Sequence, residues 1–227
     1  SGSSFPAGTT TVTCTATDAA NLTGSCTFTI TTINPCTITC PANQVAWTAG
    51  LPVPVNYPAP TTVGNCGTVT CTPPSGSSFA VGTTTVTCST NAGPSCSFNV
   101  TVNRLTFGAS VSDPLACNGP GDKINGAFSA TNTSGVSATV VLTATLSNLV
   151  YLPGTASATS AGTISTGVGT IIWTGTLGAG QSVIVSYMGQ IADNVAPGSL
   201  VCSTTTATAN GLPVAGQAQG CLTVNCP

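Results

Sequence analysis

The chain has 227 residues, of which only 3% are charged; its net charge is -2, and it contains neither histidine nor glutamate. About 25% charge is usual for a soluble domain, so the surface must be covered by Thr, Ser, Asn and Gly instead. This composition gives nucleic acid no basic patch to bind. It also removes the usual general base and the paired carboxylates of hydrolases.

Twelve cysteines in a Thr-rich chain punctuated by Gly and Pro imply disulfides, and with them an extracellular, cell-surface setting. No apolar run reaches the length of a membrane span. The spacing Cys36-x3-Cys40 with Cys66-x4-Cys71 has no histidine to complete a zinc site, and the segments around it read as strands. No metal and no cofactor is expected.

One phrase occurs twice. SGSSFPAGTTTVTC at residues 1–14 returns as SGSSFAVGTTTVTC at residues 75–88, with twelve of fourteen positions identical at an offset of 74. A repeat of this period marks tandem modules. From Thr9 to Ala16, Val12, Cys14 and Ala16 alternate with threonines, and Cys26, Phe28 and Ile30 do so in the next run. Period two with β-branched partners predicts two antiparallel strands, with residues 18–24 as the turn. Cys14 and Cys26 then share one inward face, and a bridge between them would contribute about 2–3 kcal/mol. The second copy repeats the hairpin with the tighter turn Asn91-Ala92-Gly93-Pro94, which makes Cys88–Cys96 a second candidate bridge.

The first copy lacks a front half within residues 1–32, so the chain is expected to open inside a module. The next module, residues 33–103, is whole. It begins with Cys36-Thr-Ile-Thr-Cys40-Pro41, passes Trp47, and continues through a stretch holding Pro52, Pro54, Pro58 and Pro60. That stretch reads as an extended connector or an edge-strand blocker. A strand near Val69–Cys71, a turn at Pro73–Gly76 and the closing hairpin complete a β-sandwich pattern. CPA, NCGTVTCTPPSGSSF, VGTTTVTC and CSFNVTV resemble the hyalin repeat. The resemblance implies an immunoglobulin-like extracellular module of the kind found in adhesive surface proteins, with no catalytic residues.

From Arg104 the texture changes. Ile124 and Phe128 lie in one predicted strand, and the alternation from Val136 through Leu146 gives a long second one. Ile171 and Trp173 begin another, and the turn Leu177–Gly180 leads to Val183, Val185 and Tyr187. The ordered set PGDKINGAFSATNTSG, VVLTATL, IIWTGTLGAGQSVIVSY and TTTATAN resembles a surface-repeat domain of unknown function from bacterial and archaeal envelopes. That resemblance implies a second immunoglobulin-like sandwich over residues 104–224. In the last hairpin, pairing Ala209 with Val214 across Asn210-Gly211 sets Cys202 opposite Cys221, a third candidate bridge. Residues 225–227 read as the start of a further module or an inter-subunit joint, because Cys221-Leu-Thr-Val-Asn-Cys226-Pro227 echoes Cys36 to Pro41. The expected fold class is therefore all-β: tandem, disulfide-rich, immunoglobulin-like β-sandwich modules.

Several residues are candidates for more than structure. Cys226 is the candidate inter-subunit cysteine. Asn21, Asn99 and Asn132 head N-glycosylation triplets. Ser1, Phe5, Val12, Cys226 and Pro227 are candidates for a polymer joint. Asp18 with Asn21, and Asp113 with Asp122, could offer oxygen ligands to Ca²⁺, but turn capping explains them better. Trp47, Trp173 and Tyr187 read as core rather than as a binding platform, and Lys123 reads as a solvated lysine.

The function these features predict is structural and non-enzymatic. The chain is expected to be a subunit or segment of an extracellular fibre, joined head to tail by strand complementation, with itself or tandem modules as the main partner. The alternative is a surface adhesin whose loops bind glycans or other surface proteins.

Overall fold

The computed structural model describes residues 3–113 and 117–226. It is all-β, disulfide-rich and built on a β-sandwich. The strands among the described residues are β1 (Gly8–Thr17), β2 (Thr23–Thr32), β3 (Thr37–Thr39), β4 (Gln44–Thr48), β5 (Val53–Pro54), β6 (Thr61–Val63) and β7 (Val69–Thr72). They continue with β8 (Ser78–Phe79), β9 (Gly82–Thr90), β10 (Ser95–Ser112), β11 (Lys123–Asn132), β12 (Ala138–Ser147), β13 (Leu149–Tyr151) and β14 (Ser157–Ala158). The last are β15 (Thr163–Gly167), β16 (Thr170–Leu177), β17 (Ser182–Ile191), β18 (Leu200–Ala209), β19 (Leu212–Ala215) and β20 (Ala218–Thr223). The chain forms two compact units. One runs to Ala42 and takes in Pro58–Pro74 and Val86–Phe98; the other holds Asn43–Tyr57, Ser75–Thr85 and the described residues from Asn99 on.

The second unit is the sandwich. One sheet carries β10, β11 and β17 in antiparallel order, with β13 and β14 on the far edge of β17. The other runs β15–β16–β12–β18–β20. Strand β4 lies parallel both to β10 and to β19, and brings Trp47 into the core. Alternation decides which side chains enter. Ala138, Val140, Leu142, Ala144 and Leu146 of β12 face inward, as do Val183, Val185, Tyr187 and Ile191 of β17. Each fully buried Val, Leu or Ile contributes about 1.5–3 kcal/mol by leaving water, while the intervening positions, polar such as Thr139 and Ser186 or apolar such as Ile184 and Met188, are exposed or half-buried.

Two ring placements depend on missing side chains. Gly126 lies opposite Tyr187 in the register of β11 and β17. A Cβ there would stand 2.1 Å from Tyr187 Cζ, so only glycine lets the phenol ring cross that strand. Gly175 does the same for Trp173, whose Cζ2 would lie 2.3 Å from an added Cβ.

The final hairpin corrects one expected pairing. Ala209 pairs with Leu212, not with Val214. Asn210 (φ 52) and Gly211 (φ 78) both take left-handed backbone, as a two-residue primed turn requires, and this forces the tightest closure. Two residues are then absorbed near Gly216 (φ 121), between β19 and β20. Beyond that point the register places Cys202 opposite Cys221, and the two are bonded with Cα atoms 4.2 Å apart.

The first unit is stapled rather than deeply cored. Besides the β1–β2 ribbon it contains the short pair β3–β6 and the pair β7–β9. Three disulfides hold it: Cys36–Cys66, Cys40–Cys96 and Cys71–Cys88. The expected Cys88–Cys96 bridge is therefore not formed. Cys88 is taken by Cys71, which faces it across β7 and β9 with Cα atoms 4.0 Å apart. Cys96 instead reaches Cys40, at 5.8 Å between Cα atoms.

Candidate functional site

The strongest candidate is the β1–β2 ribbon, because it carries the repeated phrase in a different environment from the other copy. Its ten cross-strand pairs run from Gly8–Thr32 to Thr17–Thr23, with Val12 opposite Phe28 and Cys14 opposite Cys26. Asp18 closes the tip. Its Oδ1 accepts from the backbone N–H of Ala20 at 2.8 Å and of Leu22 at 2.9 Å, and Asn21 takes the left-handed conformation at φ 61. The carboxylate is thus used in an Asx-type turn, which Asp supplies by bonding its own backbone.

The hairpins of the two copies have the same construction. Thr9 and Thr31 meet through their hydroxyls at 3.2 Å, and so do their counterparts Thr83 and Thr101. In the second copy, Thr90 N–H donates to Pro94 O at 3.0 Å. Two residues further along each strand, this pairing sets Cys88 across from Cys96, as Cys14 stands across from Cys26.

What differs is the surroundings. Among the described residues β1 pairs only with β2, whereas β9 is paired on both edges, by β7 and by β10. Val86, Cys88 and Val100 are fully buried, and Phe98 is 5% exposed. Their counterparts Val12 and Ile30 are only partly buried, Cys14 is exposed and Phe28 is 49% exposed. The expectation that Cys14 and Cys26 share one face holds, but that face is bare rather than inward. Both carry free thiols. The ribbon thus offers an unpaired strand edge, an apolar face and two thiols together.

The other sequence candidates fall elsewhere. Phe5 is partly buried, ahead of β1. Ser1 and Pro227 lie outside the described residues. Cys226 is bonded to Cys117 and so is not an available inter-subunit thiol. Asn21 is exposed at the ribbon tip. Asn99 is partly buried, and its Oδ1 accepts from Thr85 Oγ1 at 3.1 Å.

Asn132 cannot take a sugar in the folded chain. It is fully buried, and its Nδ2 donates to Val136 O at 2.8 Å and to Leu177 O at 2.9 Å. Trp47, Trp173 and Tyr187 are buried in the core, and Lys123 is exposed. Asp122 Oδ2 caps a turn by accepting from Gly119 N–H at 2.7 Å. Among the described residues no cluster of three His, Cys, Asp or Glu could hold a metal ion, and no helix is long and apolar enough to cross a membrane.

A family model described as the HYR domain matches residues 1–32, which contain the ribbon. No curated protein matches the chain. Among solved structures, the chain is similar to BcpA, the major pilin subunit of Bacillus cereus, with 15% identity over 66% of this chain and 49% of that one, at a TM-score of 0.42. It is also similar to the full-length major pilin SpaD of Corynebacterium diphtheriae, with 11% identity over 72% and 49% of the two chains, at a TM-score of 0.39. A family 123 glycoside hydrolase from Clostridium perfringens matches with 14% identity over 54% and 28%, at a TM-score of 0.34. The chain spans about half the length of the two pilins.

Proposed function

We propose that this chain is a structural, non-enzymatic segment of an extracellular surface fibre. On this reading it is a row of disulfide-stapled immunoglobulin-like modules, at residues 1–32, 33–103 and 104–224, and it joins a neighbouring module by strand addition at the β1–β2 ribbon. The observation that carries the reading is the contrast between the two copies of one phrase. Positions that are sealed in the second copy are exposed or only partly buried in the first, on a ribbon whose outer edges have no partner strand among the described residues. An unpaired edge beside an apolar face is what an added strand needs, since main-chain bonds give affinity and alternate side chains give register.

Composition supports the same reading. With charge at 3%, little repulsion keeps such chains apart. Five disulfides suit an oxidising extracellular location. The hyalin-like module over residues 33–103 and the envelope-type repeat over 104–224 belong to this proposal. Electron microscopy of native material, with one antibody against the exposed residues 165–168 and a second against residues 8–32 to read whether the ribbon is covered, tests it. Elongated particles bearing the chain at regular intervals are expected. Dispersed monomers with the ribbon freely accessible would rule the fibre out.

A further inference from the structure

Rather than bonding to each other, we propose, Cys14 and Cys26 each form a disulfide with a different cysteine of the segment that covers the ribbon. This deepens the strand-addition reading above and rests on it. The second copy supplies the pattern. There the two hairpin cysteines also face each other, yet each takes a partner from outside the hairpin: Cys88 bonds to Cys71, and Cys96 bonds to Cys40. Cys71 reaches Cys88 from a strand lying antiparallel along the edge of β9. Among the described residues, the corresponding edge of β1 has no partner strand.

The occupant can be described from what covers the second copy. It is a polypeptide segment like residues 36–72, with one cysteine in a strand antiparallel to β1, in register with Cys14. It carries a second cysteine some thirty residues earlier, placed as Cys40 is, to reach Cys26. A second copy of residues 1–227 does not fit this description. Ten of the twelve cysteines are already bonded, and the only free thiols such a copy offers are its own Cys14 and Cys26. Each new bond joins two sulfurs, with loss of two protons and two electrons. A disulfide oxidant, a small molecule or a protein, takes up the electrons and becomes two thiols by exchange.

The test is disulfide mapping of the protein from native material, with free thiols alkylated before digestion without reduction. The inference expects Cys14 and Cys26 in two separate linked pairs, each joined to a cysteine peptide absent from residues 1–227. A single pair joining Cys14 to Cys26, alkyl label on both, or links to the same residues of a second copy would each overturn it. Cys14→Ser and Cys26→Ser variants give an independent reading. If the hairpin cysteines bond to each other, Cys14→Ser frees Cys26 and one new label appears there. If each has its own partner, Cys26 stays unlabelled in Cys14→Ser and the freed thiol lies on the covering segment. Fibres whose ribbon contains a Cys14–Cys26 bond would leave the fibre reading standing and sink this one. Two outside bonds in a chain that never forms fibres would do the reverse.

Discussion

Phe28 and Phe98 occupy the same position in the two copies of the repeat, and one is 49% exposed where the other is 5% exposed. Both follow a hairpin cysteine by two residues and sit on strands of the same construction. Their sequence neighbours do not explain the difference; the strands packed beside them do. Truncating Phe98 to alanine should therefore cost about 3–5 kcal/mol, the usual range for a buried phenylalanine. Truncating Phe28 should cost under about 1 kcal/mol in the dispersed chain, as for a surface site, while weakening assembly. Denaturant midpoints and sedimentation of the two variants check this.

Asn132 is a sequon residue that serves as an internal brace. Two of its amide bonds tie Val136 and Leu177 carbonyls, and its Oδ1 accepts from Ser134 N–H and Oγ. Asn132→Ala should destabilise the sandwich by about 1–3 kcal/mol, because it removes the donor that Asn132 gives to the buried Leu177 carbonyl. Intact-mass analysis of material from a glycosylating host should find no sugar on Asn132. Sugar at that position in folded protein would contradict the geometry.

Tyr187 ties stability to alkaline pH. Burial raises its phenol above the ordinary tyrosine value of 10.0, and the neighbouring Ser203 hydroxyl works against this. The approach to Ser203 falls short of hydrogen-bond geometry, as neither oxygen has a bonded partner, so burial fixes the direction. The folded state thus keeps a proton that the unfolded state releases. The stability tied to this proton is complete below pH 10 and is lost as pH rises through the higher folded value. Denaturation as a function of pH should show the fall in wild type, with a shallower fall in Tyr187→Phe.

Cys71→Ser tests the stapling pattern of the first unit. It should lower stability by about 3 kcal/mol for a loop of this length and free one thiol, on the buried Cys88, that alkylates once the chain is unfolded. If Cys88 were held by its hairpin neighbour Cys96, that thiol would not appear.

Much of the sandwich is legible in the sequence because threonine alternation is so regular. The inward faces of β12, β16 and β17 follow directly from Val140–Leu146, Ile171–Trp173 and Val183–Tyr187. The disulfide partners are less legible. Local register brings Cys88 opposite Cys96, but Cys71, seventeen residues away in sequence, also faces Cys88, with Cα atoms 4.0 Å apart. The same limit hides the bare face of the ribbon. Alternation says that Val12, Cys14, Phe28 and Ile30 share a side, but cannot say whether anything covers it. At the ribbon tip Asp18, capping its own turn, behaves as its immediate neighbours dictate.

Amide hydrogen exchange along β1 reads whether a strand is added at its open edge. The β1 amides that do not bond to β2 point outward from the open edge, and exchange should be fast there in the dispersed chain. In native assembled material the account predicts strong protection of those amides around Val12 to Thr15, as an added strand takes up their hydrogen bonds. Equal, rapid exchange in both states would contradict it.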